Sequence, residues 1–295
     1  VAASQAGLGN RTSTVLARKL GSELLRHRDR AGLTQPQAAA ALSATAAKVA
    51  KMERGWVPFR DPDVIALCKL YEVEDPTTVE GLLRIAKLDR ERRKAKGWWK
   101  QSLDAGSLSE YIAMEDAATR VRTWQLSLVP GLLQTADYAR SLAVSDDVWE
   151  DPDDIERIVS VRMKRQERLH AETPLLLHAV IWEAALRQQI GGPDVMRAQL
   201  DHLRAMLELP NVHVQVLPFR AGGHPCITGP FNIISFADNQ ALDVVHVDSI
   251  ASTVWVESVA EGATHCAFFD RTARLSLAPH DSAKLIENIG REMHG

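Results

Sequence analysis

Three cations crowd one short stretch of the chain. In ATAAKVAKMERG (44–55), Lys48 and Lys51 stand three apart and Arg54 follows three later. Val49 and Met52, also three apart, share a face of the same helix. Such a helix has an apolar side that can hold it to a core and a cationic remainder that can meet a polyanion. The surrounding charge agrees. Residues 1–97 carry 18 Lys+Arg against 11 Asp+Glu, and residues 98–295 carry 17 against 27. A basic first part beside an acidic remainder points to a polyanion partner for the first part alone.

The other reactive side chains form weaker patterns. His224 and Cys226 lie two apart, and His213, His246 and His265 fall on strands or loops, but no second tight pair completes a zinc site. Cys68, Cys226 and Cys266 are far apart with no CxxC pair, which excludes a disulfide framework and fits a reducing cytoplasm. Glu183, Asp243 and Asp248 sit at predicted strand ends, where carboxylates are usually solvated. There is no GxxxxGK[ST], GxGxxG or GxSxG, so nucleotide and hydrolase chemistry lack a motif. No catalytic residue, metal or cofactor is expected.

The elements that must position the cations are helical. A first helix is predicted from Thr14, with Leu16, Leu20, Leu24 and His27 in one stripe and Gly32 as its stop. LTQPQAAAAL follows, where Thr34 and Gln37 have capping-box spacing and Pro36 sits in the first turn. A tight turn at 42–44 leads to the cationic helix, with Thr45 as N-cap and Gly55 as terminator. Two more helices are predicted, at 61–71 and from about Pro76 into IAKLDRERRKAK (85–96). This order is a helix-turn-helix inside a small bundle, a form whose second helix enters a major groove. KLDRERRKAK (87–96) reads as a charged linker or solvated helix end.

Beyond Gly97 the texture changes. Six of the seven tryptophans lie there (Trp98, Trp99, Trp124, Trp149, Trp182 and Trp255), and either line a pocket or, the commoner use, fill a core. SLSEYIAMEDAATRVRTWQ reads as a helix leading into a strand and VPGLLQTADYARSLA as a turn followed by a helix; further helices are predicted over DIERIVSVRMKRQERLHA (with Ile155, Val159, Met163 and Gln166 aligned), PDVMRAQLDHLRAMLEL and LAPHDSAKLIENIGREM. Strands are predicted at RTWQ, TPLLLHAVIW, NVHVQVLPF, GPFNIISF, ALDVVHVD and TVWVES, with a turn at Asp238-Asn239. The expected architecture is an all-α bundle followed by an α+β domain with a mixed sheet. The boundaries are a flexible leader over 1–13, a helix-turn-helix domain over 14–86, the charged linker over 87–97 and the second domain over 98–295. No run of about 18 apolar residues suggests a membrane span, and the first residues lack the apolar core of a secretory signal.

The string LGSELLRHRDRAGLTQPQAAAALSATAAKVAKMERG resembles the phage-repressor-like, XRE-type helix-turn-helix family, whose frame maps onto residues 20–55 without gaps. The resemblance implies a brace from Gln35 to the phosphate backbone and a structural ion pair between Arg28 and Glu53. It turns Ala46, Ala47, Ala50 and Lys51 outward with Lys48 nearby, and leaves Thr34, Gln35, Thr45, Lys48 and Arg54 for phosphates. Ala47 and Ala50 stand where the family commonly has serine, and Trp56 stands where it has a basic residue, which implies shallow base readout.

RTWQLSLVPGLLQTADYAR, RMKRQERL, NVHVQVLPFRAGGHP and GPFNIISF resemble a second family, the DUF5753 domain. That domain follows such helix-turn-helix units in antitoxin-type regulators of actinobacteria. The combined resemblance implies a non-enzymatic, cytoplasmic, nucleoid-associated transcriptional regulator. Its partners would be double-stranded DNA, a second copy of itself in a homodimer, and a small DUF397-type protein. The alternative it implies is an antitoxin-like module that sequesters the small protein and binds DNA only to regulate itself.

Overall fold

The computed structural model describes residues 13–94, 107–145, 151–236, 243–248, 253–256 and 258–293. Outside them lie the expected leader up to residue 12, the end of the expected linker, Trp98, Trp99, Trp149 and the Asp238-Asn239 turn. The chain divides into two compact units, the first built on residues 1–96 and the second on most of 97–295.

The first unit is a bundle of five helices: α1 Val15–Arg30, α2 Gln35–Ala41, α3 Ala46–Glu53, α4 Asp61–Leu70 and α5 Pro76–Lys94. Leu16, Leu20 and Leu24 of α1 are buried against Ala38, Val49, Met52, Leu67 and Ile85, while His27 is only half-buried. Burying a leucine or valine side chain contributes roughly 1.5–3 kcal/mol, so the stripe that predicted α1 is also what fixes it.

The stretch expected to be a linker is helical as far as Lys94 and belongs to this bundle. Asp89 is buried. It accepts the Thr14 hydroxyl at 2.5 Å and Arg93 Nε at 2.9 Å, while Thr14 also caps α1 by accepting the Ala17 N–H. Arg90 donates to Phe59 O and to Asp61. A buried carboxylate demands such partners. That is why a run that reads as solvated charge is instead a structural seam.

The second unit contains α6 Ser107–Ala117, β1 Arg120–Gln125, α7 Ala136–Ser145, α8 Pro152–Gln166, β2 Leu176–Trp182, α9 Glu183–Arg187, α10 Pro193–Met206, β3 Val212–Leu217, β4 Phe231–Ser235, β5 Val244–Asp248, β6 Thr253–Val256, α11 Val259–Leu275 and α12 Pro279–Glu292. The strands make one sheet in the order β3-β2-β1-β4-β5-β6. β1, β2 and β3 run parallel, β1 pairs antiparallel with β4, and β5 with β6. One sheet face is largely apolar: Trp124, Val180, Ile233 and Val245 pack with Phe269 of α11. The β3 edge is closed by α12, since Val216 donates to Ser282 Oγ at 2.9 Å and accepts the Leu277 N–H.

Three details depart from the sequence reading. α9 and the 17-residue α11 were not expected; α11 mixes His, Cys, Phe, Asp and Arg without a clean apolar stripe. α8 buries Ile158, Val161 and Arg165 rather than the 155/159/163 row, of which only Val159 is buried. Its inner face holds an ion pair between Arg165 Nε and Glu115 Oε1 at 2.7 Å, which periodicity of apolar residues does not reveal. Among the visible tryptophans, Trp124 is fully buried and donates to Cys226 O, whereas Trp182 and Trp255 are half-buried.

Candidate nucleic-acid interface

Each end of α3 is fixed by local chemistry. Thr45 Oγ1 accepts the Lys48 N–H at 3.2 Å. The helix stops at Gly55, whose φ of +74° is left-handed and costs glycine nothing. Gly55 N–H donates to Met52 O and Trp56 N–H to Lys51 O, both at 2.9 Å, satisfying carbonyls the helix would leave bare. Before α2, Thr34 and Gln37 form the expected capping box, and the Gln37 side chain accepts both the Thr34 N–H and the Thr34 hydroxyl at 2.8 Å.

α3 is held to α1 by shape and by charge. Gly21 of α1 lies so close to the end of α3 that a β-carbon there would meet Glu53 O at 2.2 Å. Glu53 is the node of the electrostatic clamp. Its Oε1 accepts Arg28 Nε at 2.7 Å and its Oε2 accepts Gln35 Nε2 at 2.7 Å. Arg28 also donates to Leu33 O at 2.7 Å, which ties down the turn into α2. Both charged side chains are below 10% exposed, at 9% and 7%. Opposite charges held in this way favour their ionised forms, and Glu53 raises the Arg28 pKa. Nearby, burial and then the Glu53 charge push the Tyr71 hydroxyl up to about 12.

With Val49 and Met52 buried, the exposed positions of α3 and its end are Ala47, Lys48, Lys51 and Arg54. Ala46 and Ala50 are half-buried on the flank of that face, so it is narrower than the sequence reading drew it. Thr34 and Thr45 are exposed. Gln35, expected at the phosphates, is half-buried and donates one amide hydrogen to Glu53 Oε2 at 2.7 Å. Sequence reasoning also missed Arg93, which donates to Gly55 O at 3.2 Å, and the stacking of Arg54 over the exposed Trp56 ring at 5.7 Å. A cation two residues from an aromatic ring was the available signal for the second; nothing local signalled the first.

The chain's comparisons with known families agree with this geometry. A helix-turn-helix domain matches residues 19–82, and a domain of unknown function, DUF5753, matches residues 108–288. The chain belongs to the DUF5753 family. It is a DNA-binding regulator of the XRE-like helix-turn-helix type, with the DUF5753 domain at its C-terminal side. Comparisons with curated proteins and with solved structures found no match.

The weaker sequence candidates are absorbed by structure. Glu183 is buried and accepts Arg187 Nε and the Phe219 N–H, both at 2.8 Å. Asp248 is exposed and accepts the Thr253 hydroxyl. His224 packs edge-on to Trp124, and His213 to His178. Cys226 accepts the Thr272 hydroxyl, and the three cysteines are buried thiols outside any disulfide. Among the described residues no three His, Cys, Asp or Glu side chains are grouped to hold a metal ion, and no helix is long and apolar enough to cross a membrane.

Proposed function

We propose that the chain is a sequence-selective transcriptional regulator that lays α3 in the major groove and acts as a homodimer on paired half-sites. The observation that carries this is the face of Ala47, Lys48, Lys51 and Arg54, exposed along a helix whose opposite face is clamped through Glu53. Lysine donates to guanine O6 and N7, and alanine packs on a thymine methyl. Lys48, Arg54, Thr34 and Thr45 serve the phosphates, joined by Gln35 through its other amide hydrogen. Each good base contact is worth about 1–3 kcal/mol of discrimination. So small a set on one subunit favours two subunits on half-sites about 34 Å apart.

The DUF5753 domain is the controlling part in this reading. It answers to a small molecule or to a small DUF397-type protein, and it performs no catalysis.

The test is selection of duplexes from a random pool by the full chain, followed by titration of the winner at several salt concentrations. Lys51→Ala should flatten discrimination between selected and scrambled duplexes. Lys48→Ala should weaken both alike and reduce the salt slope by about 0.9. Unchanged binding by the double variant would sink the groove assignment. A DNA-independent complex with the small protein, with no duplex enriched, would favour the sequestering alternative.

A further inference from the structure

The two faces of the C-terminal sheet differ in kind. The face under α11 is largely apolar, and its polar side chains are tied into the fold: Arg122 donates to Cys266 Sγ, and His178 pairs with Gln215, which donates to Ala273 O. The other face is crossed by a polar row. Thr123 on β1 is paired in register with Asn232 on β4. Asn232 Nδ2 lies 3.4 Å from His246 Nδ1 on β5, and His246 is paired in register with Trp255 on β6. One step along β1, Gln125 donates its Nε2 to the Thr123 hydroxyl at 2.9 Å. Thr123 and His246 are buried. A packed interior does not place four hydrogen-bonding side chains side by side without a use for them, because each costs free energy to desolvate.

The row floors a cavity of about 720 Å³. Its walls come from the 129–132 segment, α7 and α8, through Val129, Leu132, Leu142 and Ile158. That volume lies in the range of pockets for drug-sized molecules, which are apolar with a few converging polar groups.

Two of the arginines around the cavity have partners, and the one exposed carboxylate at its edge, Asp248, accepts the Thr253 hydroxyl and disfavours an anionic guest. Arg165 and Glu115 form a two-bond pair, at 2.7 and 2.9 Å. Arg162 donates to Gln134 Oε1 at 2.7 Å. Burial depresses the His246 pKa to about 4, so its ring is neutral at pH 7. The acceptors left open on the row itself are uncharged: Gln125 Oε1 and Asn232 Oδ1 accept no hydrogen bond among the described residues.

We propose that this cavity is a ligand site for an uncharged small molecule, with an apolar body against α7 and α8 and an amide-like or hydroxyl-bearing edge on the Thr123–Asn232–His246 row. The site stands on the geometry of the second unit alone. Its use as the regulator's effector site rests on the function proposed above.

Three naphthalenes of similar shape test it: 2-naphthamide, 2-naphthoate and 2-methylnaphthalene, titrated against the full chain without DNA by calorimetry. The expected result is saturable 1:1 binding of 2-naphthamide, about tenfold tighter than 2-methylnaphthalene, the ratio one well-made hydrogen bond supplies. Gln125→Leu with Asn232→Leu should erase that ratio while leaving the hydrocarbon bound. Ala143→Trp, which fills the cavity from α7, should abolish binding of both. Leu142→Trp repeats that test if the first variant does not fold by circular dichroism. No saturable binding, or binding undiminished in a folded cavity-filling variant, overturns the site. Preference for 2-naphthoate overturns the uncharged class. Because DNA is absent, these failures leave the helix-turn-helix reading untouched; only an unchanged DNA affinity in the presence of bound 2-naphthamide counts against effector use.

Discussion

At the scale of single residues, Glu53 has the most concentrated role. One buried carboxylate fastens the recognition helix to α1 through Arg28 and to α2 through Gln35. Removing one partner of a buried pair leaves the other charge uncompensated, which costs about 3–5 kcal/mol. Glu53→Ala should therefore lower the unfolding free energy of the first unit by about 3 kcal/mol in urea titration. A loss below about 0.5 kcal/mol would show the clamp to be incidental. The ion pair was legible because the resemblance fixed both positions. Gln35 was not: its place at the start of α2 pointed to DNA, and only the folded geometry brings residue 18 positions away within reach of it.

Elements were legible in proportion to how cleanly their burial follows a period. β3 alternates cleanly and was read with its face correct, and α1 was read correctly through Leu16, Leu20 and Leu24, although it also buries Lys19, Glu23 and Arg28. α8 was read as a helix with the wrong face, because it buries an arginine, and α11 was missed because polar residues interrupt its buried side. The end of α5 was read as helix, but its charges were read as solvated, for a related reason. Charge density signals solvent unless the charges find partners, and Asp89, Arg90 and Arg93 find theirs on Thr14, Asp61 and Gly55, distant in sequence. Asp89→Ala should destabilise the first unit by about 2–4 kcal/mol, since it strands the Thr14 hydroxyl and Arg93 together. Lys87→Ala, on the exposed side of the same turn, should change stability by less than about 0.5 kcal/mol. Equal effects in parallel thermal melts would return this segment to the status of a tether.

For the whole molecule, the buried histidines set a common acid response. Burial lowers the pKa values of His27, His178, His202, His224 and His246, the last to about 4. The unfolded chain then binds more protons than the folded one between the folded values and about 6.5. Their contribution to stability is complete above pH 6.5 and is lost as pH falls toward 4. The melting temperature should be level from pH 7 to 8 and fall below 6.5, as calorimetry across that range will register; a rise on acidification would contradict the assignment. His27 belongs to the first unit and the other four to the second, so the second transition should move further if the two are resolved.

The seam at Arg93 has a practical consequence. Its guanidinium holds the carbonyl that ends the recognition helix, and it lies eleven residues past the end of the helix-turn-helix match at residue 82. A DNA-binding fragment cut where the homology stops would keep every groove-facing side chain and lose the cross-tie behind them. Fragments intended for operator studies therefore need to run through Lys94, and a weak result from a shorter one would report on a truncated scaffold rather than on the contacts it carries.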